Sequence, residues 1–239
     1  MRSSNNNATR VTPSSGAIAV SMVGIVLSSA CSSCSMPTPR QHTAADSLAI
    51  VRDNLAHRAE VDSFFRYDKG SPFKKDTTIE YHAIKWFPID TRYRGFSQLH
   101  RYANPETVII MGTKGEERKQ LRCGYFTITV PDDHGQPVVL KMNVYKITPY
   151  DTKRYALYRD ALNVWFTDET TGKETYAVGR YVEVGNEDPD PEHLYVVDLN
   201  KSFNPYCAYS SIFSCAIPRR EDHLDIALRV GEMKYHDER

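Results

Sequence analysis

KQLRCGYFTITVPDDHGQPVVLKMNVYKI, residues 119–147, decides the fold class. In residues 119–130 and 138–147 the β-branched and aromatic residues alternate with polar ones, and a Pro-Asp-Asp-His-Gly cluster separates the two runs. Period-two alternation puts one apolar face on a strand, and the intervening residues tolerate turn dihedrals. The pair therefore reads as an antiparallel hairpin.

Outward from this hairpin the same pattern recurs about every ten residues. Strands are expected at 78–87, 96–102, 107–112, 162–166, 176–184, 194–199 and 226–230, with turns at 112–115 and 167–172. No helix-length periodic segment separates these strands, which argues against a parallel doubly wound sheet. Upstream, Thr43 and Asp46 form a capping pattern, and Leu48, Val51, Leu55 and Ala59 recur at helical spacing. The expectation is a mainly β chain, an antiparallel β-barrel or sandwich, with one packed N-terminal α-helix, occupying residues 43–239.

Composition narrows the partners. The 239 residues carry 30 basic and 30 acidic side chains, and 41% are hydrophobic, enough for a core. A nucleic-acid binder is expected to show a basic excess or stripe, and neither is present. The first residues give an address instead. Arg2 and Arg10 precede an apolar run over residues 17–27, followed by Ser28-Ser29-Ala30-Cys31. The run is too short to span a bilayer, so residues 1–30 read as an export signal. Small residues before a cysteine resemble a lipobox, which would make Cys31 the lipidated N-terminus, with cleavage after Ala30 as an ordinary secretory signal the alternative. Ser32 in place of Asp favours the outer membrane over retention at the inner one. Residues 31–42, rich in Ser and Pro, would be a flexible tether to a bacterial cell envelope. The membrane is thus an expected partner, through a lipid anchor.

Three segments resemble a family known as domain of unknown function 1684. They are FFRYDKGSPFKKDTTIEYHAIKWFPIDTRYR (64–94), FTDETTGKETYAVGRY (166–181) and DLNKSFNPYCAYSSIFSCAIPRREDHLDIALRVGE (198–232). Tyr206, Ala216, Arg219 and Asp222 depart from that family's usual residues. The resemblance implies a fold-sized unit, frequently exported, and brings no established activity.

The same segments hold the candidate site. An arginine offers a planar fork suited to a carboxylate or phosphate, and Gly179 permits a bulge that would re-aim Arg180. Arg180 either binds a ligand or pairs with Glu174 or Asp198 at a barrel mouth. Arg94, Glu174, Tyr176, Arg180, Asn204 and Tyr209 together would line a pocket for a small polar or anionic ligand. Trp86 and Phe87 would fill the core, with Asp90 and Arg94 at its opening. Cys207 and Cys215 lie in a long loop of an exported chain, where a disulfide is the default. Free thiols serving as metal ligands or a nucleophile are the alternative, the nucleophile needing a base such as His82, His100, His193 or His223. Cys123 reads as a small core residue.

No metal-binding spacing, nucleotide-binding loop or hydrolase motif occurs, and no cofactor is expected. The acidic run at 187–192 reads as a solvated connection rather than a calcium loop. Two rival readings are a hydrolase, with Glu174 or Glu221 as general base beside Arg180, and a scaffold lipoprotein presenting an apolar patch.

Overall fold

The computed structural model describes residues 42–236. The export segment 1–30, the lipidation candidate Cys31, and the tether through residue 41 lie outside the described residues. Helix α1 (Ala44–Tyr67) starts at the expected cap. The Thr43 hydroxyl accepts from the Asp46 amide at 3.1 Å, and the Asp46 carboxylate accepts from the Thr43 amide at 3.1 Å.

The face that α1 buries differs from the expected one. Leu48 and Leu55 are 67% and 56% exposed, while Ile50, Asn54 and Phe65 are buried. Two stripes at helical spacing share this helix, and polar anchors select between them. Asn54 Nδ2 donates to Asp198 Oδ2 at 3.0 Å, and Arg58 Nη2 donates to the Phe87 carbonyl at 2.9 Å. These bonds turn the Ile50 side inward.

The main sheet runs in the order β2 (His100–Met111), β3 (Glu117–Pro131), β4 (Pro137–Ile147), β5 (Ala161–Asp168), β6 (Arg180–Asn186), all neighbours antiparallel. The short β8 (His223–Leu224) adds to β5 in parallel. A separate two-stranded ribbon pairs β1 (Arg94–Ser97) with β7 (Tyr195–Asp198). The end strands β2 and β6 do not pair with each other, so the sheet is open rather than a closed barrel. Two short α-helices, α2 (Pro72–Lys75) and α3 (Thr152–Tyr158), and several 3-10 turns lie in the connections.

The 119–147 hairpin supplies β3 and β4, inside the sheet. Val130 faces Val138 across its tip, where Asp132 Oδ1 accepts from the amides of His134 and Gln136 and Gly135 takes φ +76°. Phe126, Ile128 and Val130 of β3 and Leu140, Met142 and Val144 of β4 point into one core. A bulge between Arg122 and Gly124 breaks the alternation. A Cβ at Gly124 would lie 2.5 Å from the His100 carbonyl oxygen, so only glycine lets β2 approach there. At this end the sheet is covered on its second face as well. Val108, Ile110, Tyr145, Trp165 and Ala216 form a second core, which the segment around 216 closes by bonding the β2 edge, Ile217 N to Met111 O at 2.8 Å.

Two expected strands are extended chain without a ladder. Residues 78–87 make one isolated bridge, Trp86 with Glu232. Trp86 is only half-buried beside the Arg58 guanidinium, whereas Phe87 is buried as expected. Residues 226–230 do alternate as expected, with Ile226, Leu228 and Val230 buried, but the Ile226 carbonyl accepts from the Glu169 amide and the Leu228 and Val230 carbonyls are taken by a side chain.

Candidate functional site

That side chain is Arg180, at the start of β6. Nη2 donates to the Leu228 carbonyl at 2.8 Å, and Nη1 donates to the carbonyls of Val230 and Glu232. Its ion pair is with Asp168 at 2.8 Å, not with Glu174 or Asp198. Gly179, at φ +110°, lies so close to the Phe166 carbonyl that a Cβ would stand 2.5 Å from it, and this turn sends Arg180 into the interior. Arg180 is 1% exposed, and its guanidinium is committed to Asp168 and to the carbonyls of Leu228, Val230 and Glu232 rather than to a ligand. This corrects the expectation for it.

The other expected site residues separate. Arg94 bonds Asp53 of α1 at 2.8 Å and Asp198 at 3.3 Å, tying the helix to the β1–β7 ribbon. Glu174 pairs with the exposed Arg229 at 3.0 Å. Tyr176 donates to the Cys207 carbonyl at 3.3 Å. Asn204 and Tyr209 do converge, on a residue that the sequence reading missed. Tyr209 Oη donates to Glu232 Oε2 at 2.5 Å, and the Asn204 amide donates to the same oxygen at 2.9 Å.

Glu232 is placed by the residue before it. Gly231 takes φ +78°, and a Cβ there would lie 2.6 Å from the Ser202 carbonyl oxygen. The Glu232 amide then bonds Ser202 O at 2.8 Å, and its side chain enters the interior, fully buried. Burial pushes the carboxyl up to about 7, against the opposing pull of Tyr209, the Asn204 amide and Arg180. The signal available in the sequence was the Gly-Glu pair closing the third family-like segment.

Glu232 and Asn204 line a cleft of about 350 Å³ under α1. His57, Val61 and Phe65 of α1 and Phe203 and Tyr206 opposite supply its walls, and Glu60 and Glu183 add carboxylates. Three buried polar atoms of these residues have no hydrogen-bond partner among the described residues, namely Glu232 Oε1, Asn204 Oδ1 and His57 Nε2. Burial lowers the His57 pKa, with Lys201 acting in the same direction, so its imidazole favours the neutral form. The cleft thus combines an aromatic and aliphatic body with a few convergent polar atoms.

Cys207 and Cys215 stand side by side as thiols. The Cys207 amide donates to Cys215 Sγ at 3.3 Å, and a thiol–thiol hydrogen bond lowers the pKa of Cys207 and raises that of Cys215. None of the four histidines considered as a base bonds Cys207: His82 stacks on Tyr235, His100 on Tyr125, His193 packs on Tyr195, and His223 faces Glu169. Glu221 is likewise engaged, with Arg122 and Arg219, and forms no centre with Arg180. Glu169, His223 and Asp225 each bring a ligand atom within 4.8 Å of the others, all exposed.

Comparison with known proteins agrees with this architecture. The sequence model of a family described as "Protein of unknown function (DUF1684)" matches residues 79–233. The solution structure of an uncharacterized protein of Haloarcula marismortui superposes with a TM-score of 0.54 at 24% identity, covering 80% of this chain and 97% of that one. It shares the fold. No curated protein matches the chain. With its matched residues covering most of the described fold, the chain belongs to the DUF1684 family.

Proposed function

We propose that this protein is a ligand-binding module, tethered to the bacterial envelope through Cys31, whose cleft under α1 holds a small molecule with an apolar body and a basic, hydrogen-bond-donating head. One observation carries the reading: Glu232 is fully buried at the cleft, its Oε2 is held by two donors, and its Oε1 has no partner among the described residues. A buried carboxylate with no ion-pair partner of its own, the nearby Arg180 being paired with Asp168, costs several kcal/mol, and an ammonium head would offset that cost. Asn204 Oδ1 is a second acceptor for the same head, and Glu60 and Glu183 favour a cation at the cleft. Val61, Phe65 and Phe203 suit the apolar body. An anionic ligand would meet three carboxylates here and no accessible guanidinium.

The tether rests on the sequence around Cys31. The test of the binding reading is a thermal-shift titration of the full chain with phenethylamine and hexylamine, against hexanoate as control. Only binding to the folded state raises the midpoint. A saturable rise with the amines, absent with hexanoate and lost in Glu232→Gln, is expected. Equal responses to amine and carboxylate, or an unchanged response in Glu232→Gln, would reject it.

A further inference from the structure

A second pocket, sharing no residue with the cleft under α1, lies where β3, β5 and β6 meet the loop carrying Cys215. Its volume is about 120 Å³, and it opens past Arg118, Gln120 and Arg154 into a surface groove of about 410 Å³. Two polar side chains in it are more than nine-tenths buried and each has an atom without a hydrogen-bond partner among the described residues: the Trp165 indole Nε1–H, on a residue 5% exposed, and Gln120 Oε1, on one 7% exposed. An orphan donor and an orphan acceptor in one small pocket call for a ligand that accepts and donates.

The charges define it further. No carboxylate lines the inner pocket, whereas Arg118 and Arg154 do. Arg118 uses Nε and Nη2 on Glu116 and Ser214, which leaves Nη1 without a partner among the described residues. Arg154, on the exposed α3, forms no ion pair among the described residues. Trp165 is held rigid by stacking on Tyr145, ring centroids 4.7 Å apart, so its N–H direction is set before binding.

We infer that this pocket binds a small hydroxycarboxylate: the carboxylate accepts from the Trp165 indole and the two guanidiniums, and the hydroxyl donates to Gln120 Oε1. Charge-assisted bonds from a planar guanidinium suit a carboxylate in this way. Cys215 borders the same pocket, so an occupant would also shield its thiol.

The chain has two tryptophans, and Trp86→Phe identifies the Trp165 indole resonance in a ¹H–¹⁵N spectrum of the full protein. Glycolate, acetate, ethylene glycol and chloride are titrated in turn. Glycolate should shift that resonance saturably, acetate should bind about tenfold more weakly (about 1.4 kcal/mol), and the other two should give no saturable shift. Arg154→Ala, at an exposed helix position, should weaken glycolate about tenfold without altering the rest of the spectrum. Gln120→Met should erase the preference for glycolate over acetate. An identical response to glycolate and chloride, or full affinity in Arg154→Ala, would overturn the assignment.

Discussion

Glu232→Gln separates the electrostatics of the cleft from its packing, because the substitution keeps the shape and removes one titration. In the unfolded chain the carboxyl titrates near its ordinary 4.5, and in the fold near 7. Below 4.5 the group is neutral in both states and burial carries no charge penalty. Between the two values the folded protein holds a proton that the unfolded chain has released, so stability falls as pH rises. At 1.36 kcal/mol per pH unit the interval amounts to roughly 3 kcal/mol, complete once pH passes 7. Glutamine has no such dependence, while its side-chain oxygen still accepts from Tyr209 and the Asn204 amide. Urea unfolding of both proteins at steps from pH 4.5 to 7.5 measures the difference directly, and groups remote from the cleft cancel in it. The stability of Glu232→Gln relative to the parent should climb by about 3 kcal/mol across the series. A change below about 1 kcal/mol would mean that Glu232 titrates as a solvated carboxylate, and the argument from burial would fail.

Arg180→Met should cost about 3–5 kcal/mol, because it strands the Asp168 carboxylate in the interior and releases the carbonyls of Leu228 and Val230. Adding Asp168→Asn should recover part of that loss in denaturant unfolding, and a loss as small as a surface substitution would contradict the role. Diamide should join Cys207 to Cys215, read as a loss of two alkylatable thiols by mass spectrometry, with about 2–3 kcal/mol of added stability from closing the loop. Retention of both thiols would show that the pair cannot reach bonding geometry. Cys31→Ser should abolish incorporation of labelled palmitate in a bacterial host, and labelling that survives would reject the tether.

The 119–147 hairpin was legible because strand alternation and turn chemistry are local: each residue reports its own face, and Gly135 its own dihedral. The Thr43 cap was legible for the same reason, its partners lying three residues apart. The face of α1 was not. Leu48 and Leu55 obey helical spacing as well as Ile50, Asn54 and Phe65 do, and bonds to Asp198 and Phe87, far along the chain, decide between them. Residues 226–230 show a finer division, since their alternation marked the buried side chains but could not say what would bond their backbone.

The candidate site follows the same rule. Sequence by itself determined that the 198–232 segment sets polar residues beside apolar ones in a β-rich chain, and it singled out Asn204 and Tyr209. Tertiary structure alone decided that Arg180 faces Asp168 in the interior, that Glu232 joins Asn204 and Tyr209, and that His57 of the helix lines the same cleft. Periodicity records how much apolar surface each element must bury. The partner of a buried charge depends on which distant segments that burial brings within hydrogen-bond reach, and no local pattern encodes it.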